Sequence, residues 1–595
     1  MKMKYKLLKK ALPIITAFLL VLSLLTSCGG NAGGAGGQTT AQATEQATTK
    51  AAEKPTTKAA ETTTAKTEAA TTQDVVGGER KLLDPRKISE PITIEYMKGL
   101  DAGLEWKSDT SPITFDVFFN GPAGYDWPGW GKDMVSAEIL KRTNVTLNYT
   151  FAATSDNEQL YTMLAAQQLP DFIFSGSNEV RARLVNEEVI QPLDDLIDKY
   201  TPNFWSIIPI REKILWSEPK DGKMYTFPCW FGDPQMIKFI KGRLPTSTGM
   251  VINNAQHKEL GSPSYATLDE YFDMLMQAKT KWPDMSYYAY DTGDMLYVVS
   301  RIYGGSHPNT IKNEKVHLYY RDESYKQACL FVNKLFRNGL YNEENFTITS
   351  EQFLTDVKAE KIYTFWGWTT GLMQYDMSMD THYGVAKVPT APGYKYSISD
   401  FGASIGGPTI YITIKNKNPE RSIKHLEFLK SMEGQLLTYF GIEGRDFTIE
   451  DTVLKRSPEI EKAREDFVQF TRDYGIVNSI NFWNQASNFV DNAGYYWSSF
   501  TNSLYKGLYT YDDVVVDDFM NMCLTIPSND EDTLVIKSNL DSLLKEYRAK
   551  IITSKSEEEC LAMYDEFISK AESTGLAKVE QVLTNRYLEL KAADF

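Results

Sequence analysis

Histidine and cysteine are scarce in this chain, five of each in 595 residues, and neither is spaced for metal chemistry. Cys28, Cys229, Cys329, Cys523 and Cys560 form no C-x-x-C pair, and no two histidines fall in H-E-x-x-H, which argues against a zinc site. P-loop and dinucleotide fingerprints are missing as well, since the Gly-Gly pairs near Gly30 belong to low-complexity sequence. Positive charge is in deficit, with 63 lysines and arginines against 78 acids and a formal charge of −15. The first 27 residues hold five of the lysines and no acid, so the chain beyond them is more acidic still. That balance argues against nucleic acid as a partner.

What is present begins with an export signal. Lys2, Lys4, Lys6, Lys9 and Lys10 precede an uncharged apolar stretch from Ala11 to Leu25, shorter than the roughly 20 residues a membrane span needs. It ends in Leu25-Thr26-Ser27-Cys28, which looks like a bacterial lipobox: residues 1–27 are then a lipoprotein signal peptide and Cys28 the lipidated N-terminus. Acyl chains contribute about 0.8 kcal/mol per buried CH₂, so several anchor a protein stably. From Gly29 to Asp74 there is no aromatic or branched aliphatic residue, which predicts a disordered tether. Residues 28–85 are assigned to it.

The remainder is globular in composition and exceeds one core, so two lobes are expected. Ile113 to Asn120 reads as a strand, Lys132 to Arg142 as a helix, and Val145 to Phe151 alternates with period two. Another helix containing Leu160, Met163 and Leu164 leads to Asp171–Phe174 (DFIF). This βαβαβ order predicts an open parallel α/β sheet whose strand C-termini carry Asn120–Trp130 and Ser175–Asn178 to one edge, where such sheets bind ligands.

Glu360 to Asp446 organises the rest. It runs EKIYTFWGWTTG, YGVAKVPTAPG, FGASIGGPTIYITIKNKNPERSIKHLEFLKSMEGQ and GIEGRD. An aromatic strand, a "V-x-x-x-P" turn, a Gly/Ser strand, an NPE helix with Ile423, Leu426, Phe428 and Leu429 on one face, and "S-x-E-G-Q" follow in order. That series resembles the family 1 extracellular solute-binding proteins of carbohydrate ABC transporters, and "L-x-x-Q-x-L-P-D-F-I-F" before Ser175 is similar to the same family. The resemblance covers roughly Ile113 to Phe595. It implies an α/β, two-lobed periplasmic-binding-protein-like fold of class II type, with discontinuous lobes joined by a hinge. Lobe 1 is expected over 86–228 plus 401–441, and lobe 2 over 229–400 plus 442–595.

Gly402-Ala403-Ser404-Ile405-Gly406 matches a nucleophile elbow, but only His425 follows it and no aspartate lies between them, so small residues at a close backbone approach are the better reading. Asn529–Asp532 is either a calcium-binding turn or a solvated acidic loop. The four cysteines after Cys28 are either disulfide-bonded or buried free thiols. The informative constellation is aromatic. Trp127, Trp130, Trp230, Trp366, Trp368 and Trp483 lie at predicted strand ends or in Gly/Pro-rich loops, together with Asp126, Asn178, Asn253 and Ser404. Indoles stack on the C–H face of a pyranose while amides and carboxylates bond its hydroxyls. For each tryptophan core packing is the competing reading; in relatives the positions matching Trp368 and Trp127 face the cleft.

The resemblance implies a non-enzymatic, lipid-anchored, extracytoplasmic receptor, expected to be a monomer without cofactor. It would close on an oligosaccharide and pass it to a membrane permease. Three alternatives stay open: a surface glycoside hydrolase or lyase using a carboxylate pair, an adhesive lipoprotein, and a peptide receptor. A uronic acid would need cations, for which Arg181, Arg183 and Arg301 are candidates.

Overall fold

The computed structural model describes residues 81–595 apart from 88–93, 122–126, 154–156, 232–247, 288, 291–294, 349, 369–381, 399–404, 451–452, 465, 477–513, 517–518 and 594. In chain order the strands used below are β1 (Ile113–Phe119), β2 (Val145–Phe151), β3 (Phe172–Ser175), β4 (Phe227–Phe231), β5 (Thr248–Asn253) and β6 (Ala289–Tyr290). They continue with β7 (Asn309–Lys312), β8 (Lys315–Leu318), β9 (Thr364–Trp368), β10 (Tyr383–Val385), β11 (Tyr396–Ile398) and β12 (Ile405–Ile412).

The first sheet has the order β2-β1-β3-β12-β4. β1 runs parallel to both β2 and β3, with Ile113 opposite Val145 and Val117 opposite Phe172. Burial explains the pairing. Phe115 and Val117 enter one core layer, while Phe118 enters a second with Val180, Leu184 and Tyr411 on the other face. A sheet covered on both faces needs apolar side chains on both, and β3 (FIFS) is buried throughout. The sheet is not wholly parallel as expected, because β12 lies antiparallel between β3 and β4. Its residues come from beyond the second sheet in sequence, and nothing local sets its direction.

The second sheet, β10-β5-β9-β6, is also mixed: β5 is antiparallel to β10 and β9, and β6 is parallel to β9. Helix Leu268–Lys281 begins with a capping box between Thr267 and Glu270 and buries Leu268, Tyr271, Met274, Leu275 and Ala278. Helices Glu531–Ile552, Glu557–Thr574 and Leu576–Ala592 pack with helix Glu323–Arg337 and the β7–β8 hairpin. The last two are separated at Gly575. That glycine, at φ +115°, breaks the helical run where a side chain would also meet Ile536.

Two sheets, each with its own helices, make the α/β two-lobed architecture. Residues 229–231 continue β4 in the first sheet, and helix Phe467–Tyr474 packs on helix Met134–Thr143. Among the described residues no helix is long and apolar enough to cross a membrane. The leader, Cys28 and the tether as far as residue 80 lie outside the described residues; Leu83, expected in the tether, is instead buried and bridges Pro209.

Candidate functional site

At the C-terminal edge of the first sheet the parallel strands end in rings. Phe119 stacks on Phe174 at 5.3 Å and meets Phe151 at 5.5 Å, and Phe151 stacks on Tyr149 at 5.6 Å. This follows from register, since Phe119 lies opposite Phe151 on one side and Phe174 on the other. Trp127 closes the row edge-on, 5.1 Å from Tyr149 and 5.6 Å from Phe151, and Trp130 lies 6.2 Å from Tyr149. Both indole N–H groups are engaged: Trp127 donates to Asp133 Oδ2 at 3.3 Å and Trp130 to the Val145 carbonyl at 3.2 Å. Asp133 is itself held, capping helix Met134–Thr143 through Ser136 N. The rings are thus positioned by their polar edges and stay half-buried.

Beside the rings lies a polar group that the sequence reading brought to this edge without naming it as a site residue. Asn120, the residue after β1, donates its side-chain amide to Asn157 Oδ1 at 2.6 Å and to Ser175 Oγ at 3.2 Å. Its own Oδ1 is buried without a donor among the described residues. A buried amide oxygen with no partner is costly, and a ligand hydroxyl is the kind of group that would satisfy it. Ser177 caps the adjoining helix Asn178–Asn186, and Asn178 is exposed at its first turn.

The remaining expected residues divide. Trp368 ends β9 opposite Thr248, and Trp230 lies in β4 opposite Gly406. Trp366 is 1% exposed and packs 6.3 Å from Tyr396, so it is a core ring of the second lobe. Asn253 is fully buried, capping helix Asn254–Glu259 through Gln256 N and donating to Glu360, a structural rather than ligand-facing placement. Asp126, Ser404 and Trp483 lie outside the described residues.

The three arginines considered for a uronate are engaged elsewhere. Arg181 bonds Glu218, Arg183 bonds Glu187 over the Tyr161 ring, and Arg301 is buried between Ser397 O and Tyr297. Asp530 caps the helix that follows it by accepting from Thr533 N, and Glu531 accepts from Asn186, which answers the acidic turn with ordinary hydrogen bonds. Cys329, Cys523 and Cys560 are buried and not disulfide-bonded, and burial pushes the Cys560 thiol up to about 12. Among the described residues no group of histidine, cysteine or carboxylate side chains is placed to hold a metal ion.

Glu427 is a buried carboxyl beside the half-buried Glu105. Burial, and then the neighbouring Glu105, hold the Glu427 carboxyl well above the usual carboxylate range. Glu105 immediately precedes the turn at Trp106, and the same helix holds Arg421 against the carbonyls of Asp109, Ser111 and Thr143. That places the pair near the N-terminal end of β1, opposite the edge that carries the rings.

No family model matches the chain. The fructooligosaccharide ABC transporter substrate-binding protein FusA of Streptococcus pneumoniae serotype 4 is 24% identical over 329 residues, 51% of this chain and 60% of that protein. The chain therefore matches about three fifths of the length of this curated relative. Among solved structures, the alginate-binding protein AlgQ2 without calcium ion aligns at TM-score 0.62 and 19% identity, over 80% of this chain and 98% of AlgQ2. FusA of S. pneumoniae in complex with kestose aligns at 0.61 and 19%, over 81% and 100%. An HMO-binding ABC-transporter-associated solute-binding protein from Bifidobacterium longum infantis aligns at 0.58 and 16%, over 80% and 99%. These likenesses show the fold, an α/β body of two lobes.

Proposed function

We propose that this chain is the substrate-binding component of an ABC importer for a neutral oligosaccharide, held outside the cell by a lipid on Cys28. The observation that carries the reading is the half-buried row Phe119–Phe151–Tyr149–Trp127 at the C-terminal edge of the first sheet, with the Asn120 amide oxygen beside it, buried without a donor among the described residues. Rings supply stacking faces for sugar C–H groups, and the amide oxygen accepts from a hydroxyl. Similarity to receptors for fructo-oligosaccharides, alginate and HMO supports a carbohydrate as ligand. The engagement of Arg181, Arg183 and Arg301 favours a neutral sugar over a uronate.

In this reading the ligand lies between the lobes, with Trp368 and Trp230 completing the site from β9 and β4. Closure follows from contacts the sugar makes with both lobes at once, which stabilise the closed state by their differential affinity. The first lobe comprises 86–231 plus 405–474, and the second 248–398 plus 514–595, acting as a monomer that delivers to a permease. Glycan cleavage is disfavoured by the position of the Glu105–Glu427 pair, away from the ring-bearing edge.

A melting-temperature screen against fructo-oligosaccharides, alginate oligomers, milk oligosaccharides and peptides, with chromatography of the recovered ligand, tests the reading. A neutral oligosaccharide that raises the melting temperature and is recovered intact supports it. Recovery of cleaved product, or a response to peptides alone, overturns it.

A further inference from the structure

The lobes also meet along a seam contributed by the C-terminal part of the second. At its centre is Glu218, 1% exposed, whose carboxylate serves both lobes. Arg181 of the first lobe donates Nε to Oε1 at 2.7 Å while its guanidinium lies over the Trp216 ring, 4.7 Å from the centroid. Ser528 of the second lobe donates its hydroxyl to Oε2. Asn186 donates to the Ser528 carbonyl at 3.1 Å and to Glu531 Oε1 at 3.2 Å, and Arg586 Nη2 reaches the Ile214 carbonyl at 3.4 Å.

The seam mixes polar and apolar groups. Arg181, Glu218, Ser528 and Arg586, with Leu215, Ile526 and Pro527, line a crevice of about 20 Å³, room for about one water and not for a sugar ring. Mixed interfaces of this kind between lobes part and re-form more readily than a wholly apolar core. Parting would strip Ser528 from a carboxylate that Arg181 keeps buried, leaving a charge with fewer donors than it has now.

We infer that Glu218 and Ser528 form an interlobe latch that holds the lobes at the separation seen here, so that wider opening must break their hydrogen bond. The inference deepens the hinge-closure reading and rests on it. It assigns the resting gap to a contact outside the sugar's aromatic row, so the open-to-closed balance is set partly by residues that need not touch ligand.

The test is a distance distribution between nitroxide labels at Gln159→Cys in the first lobe and Lys315→Cys in the second, both exposed positions. The full chain is used with Cys28 and Cys229 changed to serine, and pulsed dipolar spectroscopy is recorded without sugar. Ser528→Ala and Glu218→Gln are expected to broaden the distribution and shift it from that of the parent. Distributions identical to the parent in folded Ser528→Ala protein overturn the latch, and this variant decides if Glu218→Gln fails to fold. Adding the sugars of the melting screen to the parent is a separate arm that bears on the receptor reading alone, because the latch is judged on the ligand-free traces.

Discussion

The side-chain amide of Asn120 bridges the ends of β1 and β3, donating to the Ser175 hydroxyl at 3.2 Å while its own oxygen stays buried and unpartnered among the described residues. Replacing Asn120 by alanine removes the acceptor offered to a sugar hydroxyl. Affinity should fall by about 1–2 kcal/mol, roughly five- to thirtyfold, read by titration calorimetry with whichever sugar raises the melting temperature. Unchanged affinity in a folded variant would take Asn120 out of the site.

Trp127→Ala removes two ring contacts, with Tyr149 and Phe151, each worth about 0.5–1.5 kcal/mol beyond the area it buries. The protein should remain folded with a modestly lower melting temperature and weaker sugar binding. Trp368→Ala, at the end of β9, should weaken binding as well. Full affinity in both variants would show that the sugar stacks elsewhere.

Glu427 gives the first lobe a pH dependence. A carboxyl whose folded pKa is raised favours folding fully below its unfolded value, and that contribution is lost as pH rises toward the folded value. Across that window the slope is about 1.4 kcal/mol per pH unit. Glu427→Gln cannot ionise. It should flatten the decline in denaturant midpoint above pH 5, and an unaltered decline would show that Glu427 does not cause it.

Glu212 and Lys430 form a second buried pair at 3.3 Å, with Lys430 also donating to the Pro228 carbonyl at the start of β4. Burial, opposed by Lys430, pushes the Glu212 carboxyl up to about 7. Lys430→Met removes the group that lowers the Glu212 pKa, so at pH 8 the buried carboxyl must either stay charged without a cation or take up a proton against the solution, a loss of up to about 3–5 kcal/mol. At pH 5 Glu212 takes up a proton and the loss should shrink. Equal losses at the two values would refute the argument.

Cys28→Ala should move the chain from the membrane fraction to the medium or periplasm. Retention on the membrane would mean that something other than the Cys28 lipid anchors it.

Helix Pro419–Lys430 shows how far local pattern reaches. Its spacing predicts one apolar face of Ile423, Leu426, Phe428 and Leu429, and all four are buried. The structure also buries Arg421, Lys424, His425, Glu427 and Lys430, side chains that a periodicity argument places in water. Asp109, Glu105 and Glu212, which face Arg421, Glu427 and Lys430, lie more than 200 residues away in sequence, so no window along the chain can see them. Likewise Trp366 stands in an aromatic strand that the sequence offers for ligand stacking, and packing within the core, against Tyr396 among others, makes it a core ring.

The amino-acid order alone determined where β1, β2 and β3 run and that their ends meet at one edge, because alternation and turn residues act over a few neighbours. Tertiary structure alone decided that β12 enters that sheet antiparallel, that helix Phe467–Tyr474 packs on helix Met134–Thr143, and that Asn120 keeps an oxygen without a donor among the described residues. Those outcomes depend on which distant segments exclude water together, and chain proximity does not encode that.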